Sequence, residues 1–194
     1  MFTTERINVV EATKEDIDVI IAIESHKENR DYLWIGTYEE HEAEINDPNH
    51  VLWLFKEKET ERIVGYALAR LDMVSAIFEL RRIAMTVKHK GYGREVMEGM
   101  IRYVFEDLKM NRFWLDVYPD NEIGIKLYES LGMKKEGVLR QHYKSERGFL
   151  DQIIYSLLKS DYLKNNLSII EHVLGMFPIP TKNSYFVAYI LFVC

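Results

Sequence analysis

Apolar and polar positions along this chain follow two different periods. Short apolar runs bounded by polar turns predict strands at Arg6 to Val10, Val51 to Lys56, Ile63 to Leu71, Phe113 to Val117, Val138 to Tyr143 and Leu150 to Leu158. Helical spacing recurs in Ile17, Ile20 and Ile21, in Met97, Met100, Ile101, Val104 and Leu108, and in Ile123, Leu127 and Leu131. Thr13-Lys14-Glu15-Asp16 and Thr37-Tyr38-Glu39-Glu40 are capping patterns that start two helices, the second very acidic and ending near Pro48. A helix from Asn121 to Leu131 is closed by Gly132. The polar turn Glu57 to Arg62 joins an antiparallel hairpin. The predicted order is β-α-α-β-β-β-α-β-α-β-β, an α/β domain with a mixed sheet.

The strand from Ile77 to Met85 is irregular. Phe78 and Leu80 share one face, but Ile83 and Met85 continue in the opposite parity. A bulge at Arg81-Arg82 would do this, and so would a strand apolar on both faces and interrupted by an arginine pair. The strand leads into Lys88-His89-Lys90-Gly91-Tyr92-Gly93-Arg94, where two glycines open a helix. Glycine lets a backbone approach a ligand closely. The first N–H groups of a helix have no internal partner and suit phosphate oxygens. A plain glycine turn is the alternative.

The chain has 194 residues, 47% of them hydrophobic and 29% charged, which predicts one soluble globular domain. Its one cysteine, Cys194, allows no internal disulfide or multi-cysteine metal site. Neither a secretory signal nor a membrane-length apolar run is visible, so we expect a cytoplasmic protein without a membrane partner. A net charge of −6 argues against nucleic acid and favours cationic partners. The histidines show no metal-ligand spacing, and we expect no metal. Residues 161–194 leave the strand–helix rhythm. Leu167 to Phe177 reads as an amphipathic helix, Pro178-Ile179-Pro180 breaks it, and the apolar run Ser184 to Cys194 calls for cover by its own domain or a second subunit, a possible homodimer. We divide the chain into a domain at 1–162 and an extension at 163–194 that is no domain of its own.

Three segments together resemble the GNAT superfamily of acetyl-coenzyme A-dependent N-acetyltransferases. They are Phe78 to Met85, Lys88-His89-Lys90-Gly91-Tyr92-Gly93, and Asn121-Glu122-Ile123-Gly124-Ile125-Lys126-Leu127-Tyr128-Glu129-Ser130-Leu131-Gly132-Met133. The second is similar to the family's Q/R-x-x-G-x-G/A pyrophosphate loop and the third to its N-x-x-A-x-x-L-Y-x-x-x-G-F helix. Glu136-Gly137-Val138-Leu139-Arg140 resembles the branch acting on protein N-termini, polyamines and small amines. Lys88, His89 and Gly124 depart from the commonest residues at their positions.

The resemblance implies transfer of an acetyl group from acetyl-CoA to a primary amine, on a cationic small molecule, polyamine or protein N-terminus, by direct attack in a ternary complex. A non-catalytic acyl-CoA-binding regulatory or assembly module is the alternative. Lys88, His89, Lys90, Gly91, Tyr92, Gly93 and Arg94 would hold the pyrophosphate, and Ile83, Ala84 and Met85 would lend backbone groups to the pantetheine arm. Tyr128 is a candidate acid for the coenzyme sulfur, because a phenol keeps its proton at neutral pH; otherwise it is a half-buried aromatic. Asn121 is a helix cap, a cofactor contact or both. Glu79 is a base acting through water, or an ion-pair partner of Arg81. His142 is a second possible base or a surface histidine. The acidic stretch with Glu24, Glu28, Asp31, Glu39, Glu40, Glu42, Glu44 and Asp47, interleaved with Tyr32, Trp34 and Tyr38, would select a cationic acceptor, or be a solvated face.

Overall fold

The computed structural model describes residues 1–145 and 147–175, with side chains to Leu167. The expectation for Ser184 to Cys194 lies outside the described residues. The elements are β1 (Phe2–Thr3), β2 (Ile7–Glu11), α1 (Ile17–Glu24, entered through a 3-10 turn), α2 (Tyr38–Asn46), β3 (His50–Glu57), β4 (Ile63–Asp72), β5 (Ile77–Met85), α3 (Tyr92–Arg102), β6 (Arg112–Val117), α4 (Glu122–Ser130), β7 (Lys134–Ser145), β8 (Gly148–Leu158) and α5 (Lys159–Gly175). The strands form one mixed sheet in the order β1-β2-β3-β4-β5-β6-β8-β7. The predicted order recurs inside it, with β1 added at the start and α5 at the end. The hairpin β3–β4 is antiparallel as expected. The helix expected from Leu167 already begins at Lys159, so it crosses the boundary drawn at 162. β7 runs well beyond Val138 to Tyr143, because its exposed flanks carry no apolar signal.

β3 and β4 are buried on both faces. Trp53, Phe55, Ala67 and Ala69 join Phe78, Phe113, Val96, Met97 and Met100 in a core covered by α3. Leu52, Leu54, Tyr66 and Leu68 join Ile20 and Ile23 of α1 on the other face. The result is a sheet between two helical layers. At roughly 25 cal/mol per Å² of apolar surface, each large residue in these cores contributes about 1.5–3 kcal/mol.

Two features of β5 create the site. Leu68 pairs with Arg82 and Ala69 with Leu80, so Arg81 is the extra residue of a bulge. The bulge reverses the parity of the strand. Ile83 and Met85 therefore stay on the α3 face with Phe78 and Leu80, while Arg82 turns towards α1. β5 also pairs in parallel with β6 only from Ile77↔Arg112 to Leu80↔Leu115. Beyond that point the strands part, and among the described residues the β5 edge from Arg81 to Met85 has no strand partner on this side.

Candidate active site

A cleft of about 1150 Å³ opens where β5 and β6 separate. Leu80, Ile83, Leu115, Val117 and Tyr128 line it from the α3 side, and Glu79, Arg82 and Asp116 from the α1 side. Lys88, His89, Asn121 and His142 also line it. Ala84, Met85, Lys90, Gly91, Tyr92, Gly93 and Arg94 lie outside this lining, on the continuation of β5 and the turn into α3.

The glycine turn is built for backbone contact. Gly91 caps α3 in the left-handed region at φ 78°, where a Cβ would be strained. A Cβ added at Gly93 would meet only Met85 Cγ, at 3.7 Å. Among the described residues no packing requires the glycine there, which leaves room for a ligand to approach. Arg6 braces the turn from β2's side: its Nη1 donates to the Lys90 carbonyl at 3.0 Å, and its Nε to Glu95 at 2.7 Å. Three of the turn's long side chains are engaged by other parts of the protein. Tyr92 is buried and its hydroxyl donates to Glu57. Arg94 donates to Ser130 Oγ at 2.6 Å and pairs with Glu98. Lys88 donates to Asn29 Oδ1 at 2.6 Å, and its pKa is lowered by burial. Asn29, itself buried, donates from Nδ2 to the carbonyls of Ile23 and Met85 at 2.9 and 3.3 Å. Lys88 thus ties the loop after α1 to the end of β5. The β5 edge without a partner, the glycine cradle and the free N–H groups of α3 fit an extended acyl-CoA thioester and its pyrophosphate.

On the opposite wall Asn121 caps α4, its Oδ1 accepting from the Gly124 N–H at 3.0 Å. Tyr128 is 7% exposed and burial pushes its pKa up to about 12, with the Asp116 charge adding to the rise. Among the described residues its hydroxyl has no hydrogen-bond partner, yet it lines the cleft and is therefore open to a ligand. Glu79 faces Arg70 at 3.9 Å, not Arg81 as the sequence suggested, because the bulge takes Arg81 out of the alternation.

Asp116 escaped the sequence reading, since a lone carboxylate in a short strand carries no motif. Glu79 is in register with Trp114, which puts Asp116 diagonally ahead of it on the same sheet face. Gln152 of β8 donates Nε2–H to Asp116 Oδ1 at 2.5 Å. Burial, helped by the Glu79 charge, raises the Asp116 pKa to about 6 against the pull of His142, Arg81 and the Gln152 hydrogen bond.

Behind the wall formed by α2 lies a buried ionic cluster that was equally invisible. Glu24, wholly buried, accepts from the Tyr66 hydroxyl at 2.5 Å and the Gly36 N–H at 2.8 Å, and pairs with Arg82 at 3.2 Å and His41 at 3.1 Å. Glu44 closes the ring on Arg82 at 2.6 Å and on His41 at 2.9 Å. Burial opposes charge on His41, but hydrogen bonds from Glu24 and Glu44 outweigh it and raise the pKa to about 9. Gly36 is required here, since a Cβ would stand 2.6 Å from the His41 ring. Much of the acidic stretch is therefore already committed. Glu42 pairs with Lys14, Asp47 with His50, and Glu40 accepts from the Thr37 N–H that it caps.

A model of the acetyltransferase (GNAT) family matches residues 18–133. The chain belongs to this family of N-acetyltransferases. It is 26% identical over 175 residues to the uncharacterized N-acetyltransferase p20 of Bacillus licheniformis, covering 82% of this chain and 96% of that protein. It is 28% identical over 97 residues to the ribosomal protein bS18-alanine N-acetyltransferase of Salmonella typhimurium, covering 50% of this chain and 65% of that one. Among solved structures, the spermidine N-acetyltransferase from Vibrio cholerae in complex with CoA and spermine superposes with a TM-score of 0.72 at 18% identity, covering 81% of this chain and 98% of that chain. That likeness shows the shared fold. Among the described residues no helix is long and apolar enough to cross a membrane, and no His, Cys, Asp and Glu group could hold a metal.

Proposed function

We propose that this GNAT protein transfers an acetyl group from acetyl-CoA directly to a primary amine on a cationic acceptor. The observation that carries the reading is the cleft at the β5–β6 split, where a partnerless strand edge meets an open tyrosine hydroxyl and a carboxylate pair. The donor lies along β5 from Arg81 to Met85, with its phosphates on the backbone of the turn from Lys88 to Arg94. When bound it supplies the activated acyl carbon.

The acceptor arrives as an ammonium. An alkylamine of pKa near 10.4 is only about one part in 10³ neutral at pH 7, so a proton must leave before attack. Asp116 is placed to take it, with Glu79 beside it. A carboxylate with a pKa of about 6 is largely ionised at pH 7 and still close to the working pH, where a general base is most effective. Tyr128 serves the departing sulfur. With the phenol at about 12 and an ordinary thiol near 8.5, full proton transfer would be uphill by about 5 kcal/mol. Its O–H therefore steadies the charge gathering on the sulfur by a hydrogen bond, and the net proton comes from the acceptor nitrogen.

The charge around the cleft supports a cation as acceptor. Glu28, Glu40, Glu44, Glu79, Asp116, Asp120 and Glu122 line it, against Arg81, Arg82 and Lys88. Exposed Tyr32 and Trp34 add aromatic faces. Likeness to a ribosomal protein bS18-alanine N-acetyltransferase, and in fold to a spermidine N-acetyltransferase, makes both acceptor classes reasonable first choices. The test is thiol release from acetyl-CoA with spermidine, an alkylamine, an N-terminal alanine peptide and a neutral amine. Faster turnover on cations supports the reading. Binding of acetyl-CoA without thiol release on any amine would favour the non-catalytic acyl-CoA-binding module instead.

A further inference from the structure

Arg147 stands in the turn between β7 and β8, and two other loops, β6–α4 and α1–α2, hold its guanidinium. Asp120 of the β6–α4 loop accepts from Nη1 at 2.5 Å, and the Asp31 carbonyl of the α1–α2 loop accepts from Nη2 at 2.6 Å. The Tyr118 ring lies 5.7 Å from Cζ. Tyr143 stands 5.7 Å from Tyr118, and Trp34 6.1 Å from Tyr143, continuing an aromatic wall into the cleft. Asp120, Tyr118, Tyr143 and Trp34 all line that cleft. A carboxylate, a carbonyl oxygen and an aromatic face are the groups that recognise an ammonium or guanidinium. Here a side chain of the protein itself fills them, and it is an exposed one, at 36%.

We propose that Asp120, the Asp31 carbonyl and the Tyr118 face form a distal cation subsite for an extended polyamine-type acceptor, with Arg147 as its displaceable resident. This rests on the acetyltransferase reading of the same cleft and adds to it the need for a second positive charge. Displacement is feasible energetically. An exposed ion pair and an exposed cation–π contact are both weak in water, so another cation can replace the guanidinium. A second ammonium tethered to an amine already seated near Asp116 arrives at high effective concentration and needs no larger advantage. The spacing puts a ceiling on the ligand's length. Asp116 and Asp120 are four residues apart, so their backbones stand at most about 14 Å apart at ~3.4 Å per residue.

The experiment compares octamethylenediamine with octylamine, which match in chain and differ in the second ammonium. The readout is the ratio of their kcat/KM values in wild type, Arg147→Gln, Arg147→Lys and Asp120→Asn. Vacating the subsite in Arg147→Gln should raise the ratio about three- to tenfold, Arg147→Lys should restore it towards wild type, and Asp120→Asn should lower it. The same ratio in wild type, Arg147→Gln and Asp120→Asn overturns the proposal, as does a lower ratio in Arg147→Gln, which would make Arg147 a structural strut. If wild type binds acetyl-CoA but acetylates neither amine, the acetyltransferase reading itself has failed and the subsite falls with it.

Discussion

The α3 flank of the cleft offers a ligand mainly backbone, and the α1–α2 flank offers it side chains. On the first, a strand edge, two glycines and the start of a helix do the work, all between Arg81 and Arg94, while Tyr92 and Arg94 turn their side chains away. On the second, Glu24 meets Arg82, Arg147 meets Asp31, and Lys88 meets Asn29 across long stretches of chain. A backbone site needs only a local pattern, and other residues can change around it. A side-chain site needs distant partners kept together, so it can vary with the acceptor. The difference supports the proposal that the donor binds on one flank and that the acceptor is chosen on the other.

The largest effect should come from the proposed base. Asp116→Asn is expected to lower kcat/KM about 10²–10⁴-fold. Asp116 must be ionised to accept a proton, so the wild-type rate should rise with pH through about 6, and this limb should vanish in the variant. A retained limb in Asp116→Asn would pass the role to Glu79. Next is Tyr128→Phe, expected to cost about 10² in kcat with acetyl-CoA affinity nearly intact. An unchanged kcat with chemistry rate-limiting would leave Tyr128 a packing residue.

Stability should divide the flanks by pH. His41 has a raised folded pKa of about 9 against about 6.5 unfolded, so its contribution is full below about 6.5 and lost as pH rises through about 9. The difference sets an upper bound of about 3 kcal/mol, or a fall in Tm of roughly 6–12 °C. Glu24 is lowered in the fold, since contacts with His41, Tyr66 and Gly36 outweigh burial, so its contribution fades instead as pH falls below the usual carboxylate range. A flat Tm from neutral pH to about 9.5 would show the cluster to be unimportant. The smallest effects belong to the acidic surface. Glu28 lines the cleft and Glu39 does not. Glu28→Gln should raise KM for cationic amines a fewfold at low salt, where surface charges act over ~10 Å at 0.1 M, and Glu39→Gln should leave it unchanged. Equal effects would mean a diffuse field, not a lined site.

The same contrast explains what could be read from the chain. The glycine turn was legible from its turn residues, parity offered the bulge at Arg81-Arg82 as one of two readings, and the family resemblance picked out Asn121 and Tyr128, which line the cleft. Asp116 was not, because its importance comes from Glu79 and Gln152 on neighbouring strands. His41 looked like an ordinary histidine until folding placed it between Glu24 and Glu44. Arg147 meant nothing until a turn tip reached Asp120 and Asp31. The acidic stretch misled in part, since its charge count does not show which carboxylates Lys14, His50, His41 and Arg82 have already taken.

The most direct test of the division between flanks is the melting shift caused by saturating acetyl-CoA, measured side by side in wild type, Gly93→Val and Arg94→Ala. At ligand near 100 times its dissociation constant the wild type should gain about 2.7 kcal/mol, a shift of roughly 5–11 °C. Gly93→Val should melt like wild type without ligand, because its Cβ has room in the protein, and should lose the shift. Arg94→Ala should keep most of it. A full shift in Gly93→Val, or its loss in Arg94→Ala alone, would contradict a donor site made of backbone.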